Sequence, residues 1–216
     1  MSQSALLRLM SWLSPVFPTG GFAYSAGLEQ AVADGLVAKA GSLEAWIEAQ
    51  LVHGAARNDA IVMAQAWHFE QRGEDPRPLA DLAVALAGSA ERHRETLDQG
   101  EAFLAAAAHW FADILPRGLP LPIAVGLACG RGAVPVRPAL AAYLNTLVSN
   151  QLQCAIRLSV TGQDGAARLL AVLEPVIDSV AEAAAGATLD DLGSFALNAE
   201  IASMNHETLH SRLFLS

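Results

Sequence analysis

The chain has 216 residues, 53% of them hydrophobic and 16% charged, which excludes a disordered tail and is enough to bury a sizeable core. Lys+Arg 13 against Asp+Glu 22 gives a formal charge of -9, the wrong sign for a protein that wraps a polyanion, so no nucleic-acid partner is expected. Lys39 is the only lysine and no apolar run reaches the ~18 residues that a membrane span needs, so neither a basic membrane footprint nor a span is expected and a cytoplasmic protein is.

Alanine, the strongest intrinsic helix former, is abundant, and no segment carries a strand-like period. The expected fold is all-α: a single-domain bundle of roughly eight to ten helices over residues 1–216. In chain order, Leu6, Leu9, Met10 and Leu13 share one face of a short helix over 4–13. Its apolar stretch is interrupted by Arg8 and followed by Pro15 and Pro18 without a cleavage-site pattern, unlike a signal peptide. A break from Pro15 to Gly21 precedes a helix starting near Tyr24 or Ser25 and ending by Gly35, with Leu28 and Val32 inward. Ser42 reads as the N-cap of a helix carrying Leu43, Trp46, Ile47 and Leu51 that runs to about Gln71, with a possible break at Gly54.

Arg72 to Pro78 is a polar loop, and Leu79 to Leu86 a short helix. Ser89 caps a long helix whose apolar face continues through Leu104, Ala107, Trp110, Phe111 and Ile114. From Pro116 to Pro138 the chain holds five prolines and four glycines, leaving room only for a short helix around Ile123 to Cys129, and reads as a hinge or linker. Pro138 opens a helix with Leu140, Leu144, Leu147, Cys154 and Leu158 on one stripe. The amides Asn150, Gln151 and Gln153 in that apolar helix point to a helix–helix hydrogen-bond network, or to an interface or water-lined passage. Leu169, Leu173, Val176 and Val180 mark the next helix, kinked or restarted at Pro175. Thr188 with Asp191 resembles a capping box for a final helix carrying Leu192, Phe195, Ala196 and Ala199.

Few residues offer catalytic chemistry. There is no phosphate-binding glycine loop with a following Lys, no H-E-x-x-H and no G-x-S-x-G elbow. Cys129 and Cys154, isolated in apolar surroundings, read as buried small hydrophobes. His206 and His210 lie four apart with Glu207 between them, which on a helix would put two imidazoles on one face for a metal such as nickel or zinc. A metal-dependent all-α hydrolase using His206, His210 and Glu207 is therefore one function class, and it requires a third protein ligand. A helical scaffold without metal is another. Phe17, Phe22 and Tyr24, set among two prolines and three glycines, are candidates for an aromatic anchor that meets a partner protein.

The run Ser14-Pro15-x-Phe17-Pro18-x-Gly20-x-Phe22-x-Tyr24-Ser25-x-Gly27-Leu28-Glu29 resembles the N-terminal signature of the UreF family of urease accessory proteins. The likeness continues at Glu95 and Gly100, Asn150-Gln151 and Gly162-Gln163-x-Gly165, and ends with Met204-x-His206-Glu207-Thr208-x-x-Ser211-Arg212-Leu213-Phe214-x-Ser216. His93 with Arg94 stands where the family pattern places its Arg, Ala166 where it has Gln, and Leu209 and His210 where it favours Gln and Tyr. That last departure leaves His206 as the better metal candidate, with His210 the weaker.

The resemblance implies a non-catalytic maturation factor that binds UreD (UreH) and the GTPase UreG and promotes GTP-dependent nickel insertion into apo-urease. It also implies a homodimer acting as adaptor and regulator of UreG, with no tightly bound cofactor and nickel only in transit. The helix 4–13 and the tail 206–216 are then interaction arms. Ends rich in aromatic and Arg residues, Phe17, Phe22, Tyr24, Ser25, Glu207, Arg212 and Phe214, are the expected UreD-binding surface, and Glu29, Arg94, Glu95 and Arg157 the expected surface for UreG.

Overall fold

A computed structural model describes residues 1–113 and 116–216; Ile114, expected on the apolar face of the long helix after Ser89, lies outside the described residues. Among those described, the protein has no strand and ten α-helices: α1 (Gln3–Trp12), α2 (Leu28–Ala33), α3 (Ala40–His53), α4 (Ala55–Arg72), α5 (Arg77–Ala85), α6 (Ala90–Ala107), α7 (Leu121–Arg131), α8 (Val136–Arg157), α9 (Gln163–Gly186) and α10 (Leu197–His206). Short 3-10 turns stand at Gly21–Ala23, Ala108–Trp110 and Leu189–Asp191. The fold is all-α.

The middle of the bundle is α7. Every residue from Leu121 to Gly130 is buried, which corrects the expectation of a hinge or linker between Pro116 and Pro138. The physical reason lies in where the prolines and glycines fall. Pro120 immediately precedes α7, Pro122 lies in its first turn and Pro135 precedes α8, positions where a missing N–H costs little. The glycines remove side chains where helices touch: a Cβ at Gly126 would overlap the Met63 carbonyl of α4, and one at Gly100 of α6 would overlap the Leu119 carbonyl that leads into α7. Helix α7 thus packs between α4 and α6 at backbone distance. Trp67 donates to the Val134 carbonyl at 2.8 Å and Gln71 to the Gly130 carbonyl at 3.0 Å, fixing the end of α7 against α4.

Around this centre α8 and α9 form a hairpin that packs on α3 and α4, while α2, α10 and the start of α6 meet at one end. Helix α9 runs through Pro175 without ending there. Ser89 caps α6 as expected, accepting from the Arg92 amide at 3.1 Å, and Gly54 does separate α3 from α4.

Four local expectations are corrected. Helix α3 begins at Ala40, and Ser42 reaches back from inside it to accept from the Ala38 and Lys39 amides at 3.1 and 3.2 Å. Helix α2 begins only at Leu28, after Gly27 at φ +79°, where a Cβ would stand 2.9 Å from the Ser203 amide of α10. The helix capped by Ser89 stops at Ala107, because Trp110 and Phe111 fold back on Trp12, with centroids 6.0 and 5.8 Å away. The Thr188–Asp191 exchange closes only a 3-10 turn. The irregular stretch beyond it is held out of helix by Asn58, which accepts from the Gly193 amide at 3.0 Å, and by the His53 carbonyl, which accepts from the Phe195 amide at 2.7 Å.

Gly126→Ala is expected to lower stability by about 3 kcal/mol, because the added methyl must push α4 from α7. Gly41→Ala, in the first turn of α3 with nothing within 4 Å, should leave stability unchanged or raise it. Urea denaturation of the two variants checks the contrast.

Candidate functional site

Both ends of the chain converge where α2, α6, α8 and α10 meet. Glu29, second residue of α2 and buried, takes the backbone of the tail directly: its carboxylate accepts from the Leu213 amide at 2.8 Å and from the Phe214 amide at 3.0 Å. The same carboxylate faces His206 Nε2 at 3.1 Å. His206, last residue of α10 and wholly buried, turns Nδ1 to Glu91 at 2.7 Å, and Glu91 accepts from Arg212 at 2.5 Å. Both ring nitrogens of His206 therefore face carboxylate oxygens, and neither points at open space. Glu207, next along, accepts from the Ala90 amide at 2.8 Å and so caps the first turn of α6.

The tail then runs along the Phe22–Ser25 segment. The Leu215 amide donates to the Ala23 carbonyl and the Ser25 amide to the Ser216 carbonyl, each at 2.7 Å, and the Ser25 hydroxyl donates to the same carbonyl. Helix α8 holds this seam of two segments from below. Arg157 donates to the Phe22 carbonyl at 2.8 Å and the Leu213 carbonyl at 3.4 Å, with its guanidinium 4.1 Å from the centre of the Phe214 ring. Gln151 donates to the Ser25 carbonyl at 2.7 Å, and the Cys154 thiol to that of Tyr24 at 3.3 Å. Of the three amides that suggested a helix–helix network, Gln151 alone makes a hydrogen bond among the described residues, and to the backbone ahead of α2 rather than to another helix, while Gln153 is exposed.

The residues singled out from sequence divide into two groups. Ser25, Glu29, Glu95 and Phe214 are buried and bind the two ends to each other, so the side chains themselves do not face a partner. Phe22 is 72% exposed, and Leu213 and Leu215 are each 61% exposed, so an apolar face does stand over the seam. Arg94, Arg157, Glu207 and Arg212 lie at the surface. The aromatic trio is not one anchor: Phe17 packs on Phe103 and Trp110 with centroids 5.4 and 6.1 Å away, and Tyr24 is half-buried. Burial, reinforced by Asp98, raises the Tyr24 phenol above its ordinary range.

His206 and His210 do not share a helix face, because α10 ends at His206; His210 is exposed where His206 is buried. Among the described residues no three His, Cys, Asp or Glu side chains are grouped to hold a metal ion. The third ligand that a metal-dependent hydrolase requires is thus not found there. Cys129 and Cys154 are buried and free, and desolvation pushes both thiols up to about 12, which fits their reading as small hydrophobes.

Glu91 was not anticipated. Its only local signal is its place in the first turn of α6, where an acid suits the helix dipole. Its meeting with residues 206 and 212 is a product of the fold.

Glu29→Ala removes the acceptor of two buried amides and one carboxylate partner of His206. It is expected to cost about 3 kcal/mol and to speed hydrogen exchange at Leu213 and Phe214 by orders of magnitude. Glu174→Ala, on the exposed side of α9, should change neither.

With this geometry in place, comparison with known proteins is direct. The family profile of UreF matches residues 37–174. The urease accessory protein UreF of Brucella ovis is 51% identical over 216 residues, covering 99% of this chain and 95% of that protein. Those of Agrobacterium fabrum and Mesorhizobium japonicum are 49% identical over 99% of this chain and 97% of the relative, and 50% identical over 100% and 98%. The chain belongs to the UreF family of urease accessory proteins, which serve urease maturation and are not enzymes themselves.

Proposed function

We propose that this chain is the adaptor of a urease maturation complex. Together with UreD/UreH and the GTPase UreG, it promotes GTP-dependent nickel insertion into apo-urease and regulates UreG, acting as a cytoplasmic homodimer. The observation that carries the reading is the seam of the two chain ends. Exposed apolar Phe22, Leu213 and Leu215 are displayed on backbone that Glu29, Arg157 and the Ser25–Ser216 pair hold rigid. Apolar side chains on a pre-ordered backbone lose little entropy on docking, which suits a protein-binding surface. We assign this face to UreD/UreH, with Arg94 on the exposed side of α6 toward UreG.

Nickel is cargo in this reading and is held by no closed site of this chain. A cavity of about 120 Å³ opens among α3, α4, α6 and α8, with Asn58, Asn150 and Gln151 on its wall. The Gln151 Oε1 atom there is buried without a hydrogen-bond partner. The same wall carries Asp59, Arg92 and Glu95, and among the described residues no three ligating side chains are grouped to store the ion.

Deleting Arg212–Ser216 is expected to abolish co-purification with UreD/UreH while the helical circular-dichroism signal stays within a few per cent of the full chain. Undiminished complex formation overturns the assignment of this face. Arg94→Ala, which touches none of the tail contacts, should retain UreD/UreH and lose UreG-dependent GTP hydrolysis and nickel-dependent urease activity on co-expression with an operon lacking this gene.

A further inference from the structure

Behind the seam lies a second charge cluster that the docking surface does not use. Arg92 of α6 bridges Asp59 of α4 at 2.5 Å and Glu95, one turn along α6, at 3.3 Å. The three side chains are 18%, 15% and 8% exposed. Tyr143 of α8 donates to Asp59 at 3.1 Å, Gln99 donates to Glu95 at 3.0 Å, and the Ser216 hydroxyl of the tail donates to Glu95 at 3.2 Å. Two carboxylates thus share one guanidinium in a low-dielectric setting, and the closer partner of Arg92 is Asp59. Glu95 is the acid left short of positive charge.

The other titratable groups that face Glu95 do not repair this. Tyr24, ahead of α2, and Cys154 of α8 are near enough for their own ionisation to be opposed by the Glu95 charge, as Asp98 and Glu29 also oppose it at these two groups respectively. Arg94 and Arg157 act on Tyr24 and Cys154 respectively, from the surface. Burial pushes the Glu95 carboxyl above the usual carboxylate range; Arg92 and the Ser216 hydroxyl pull it back.

We propose that Glu95 is a proton-linked latch for the C-terminal segment: the segment docks on the ionised carboxylate and is loosened when Glu95 takes a proton from solvent. The physical basis is reciprocity. A tail hydroxyl that donates to the carboxylate favours the ionised form, so the ionised form must favour the docked tail by the same factor. Through this contact the docked hydroxyl lowers the Glu95 pKa. The contribution of this contact is therefore complete above the undocked pKa and is lost as the pH falls through the docked one. A change of one pKa unit corresponds to about a tenfold change in the docked-to-undocked ratio. The inference concerns the chain itself and does not depend on which partner meets the seam.

The test is a titration of the full chain from pH 8 to pH 5 by NMR, following the Glu95 side-chain carbon and the Leu215 and Ser216 amides. The expected result is that the tail amides respond with the same midpoint as Glu95, that Ser216→Ala raises that midpoint, and that Glu95→Gln removes the tail response over this range. The second carboxylate cluster, Glu29 and Glu91 about His206, holds the same tail through Leu213 and Phe214 and is the competing source of any pH response. A tail response that persists in Glu95→Gln, a Glu95 midpoint unmoved by Ser216→Ala, or tail amides indifferent to pH overturns the proposal. Should Glu95→Gln fail to fold, the Ser216→Ala comparison decides alone.

Discussion

The carboxylate of Glu29 is the point on which the functional end of this protein depends. It is buried, and a buried carboxylate is tolerable only where donors surround it. Here the donors come from the other end of the chain: two consecutive backbone amides of the tail and an imidazole at the close of α10. The requirement is mutual, since Leu213 and Phe214 have few other acceptors once Phe214 is buried. One short helix, α2, therefore fixes the tail, and everything displayed on the tail inherits its precision.

That dependence explains the residue types at the two ends better than surface recognition alone. Glycine at position 27 lets α10 lie against the start of α2, which brings His206 to Glu29. Serine at position 25 presents a backbone amide and a hydroxyl to one carbonyl of the tail, while its own carbonyl accepts from Gln151. Arg157 contributes a flat cation that covers Phe214 and still reaches two carbonyls, a combination that lysine's single ammonium cannot reproduce. Residues read as a partner surface thus largely build the platform, and the surface itself is the smaller set of apolar side chains above it.

The parts of this architecture visible in the sequence are those encoded locally. The Ser89 cap, the Gly54 break and the apolar stripes of α8 and α9 follow from spacing of a few residues, and the fold class followed from composition. The ends were conspicuous because prolines, glycines and aromatics were concentrated there without a helical period to explain them. What remained hidden was long-range or ambiguous. Nothing near Glu91 announces residues 206 and 212. Glycine and proline between 116 and 138 suit either a linker or tight helix packing, and only the presence of α4 and α6 on either side decides for packing. The Thr188–Asp191 exchange is a cap, but of a 3-10 turn and not of the final helix, because the Gly193 and Phe195 amides just after it donate to Asn58 and to the His53 carbonyl instead of to a helix.

The central position of α7 has a further consequence for how the protein is made. Helices α4 and α6 are synthesised before the element that lies between them, so the faces they turn to α7 are uncovered until residue 131 has left the ribosome. A chain whose middle is completed late passes through a stage in which much of its sticky surface is bare, the stage most exposed to aggregation and to capture by general chaperones. Expression yield in this family should accordingly be governed by substitutions around α7 far more than by those at the seam of the two ends.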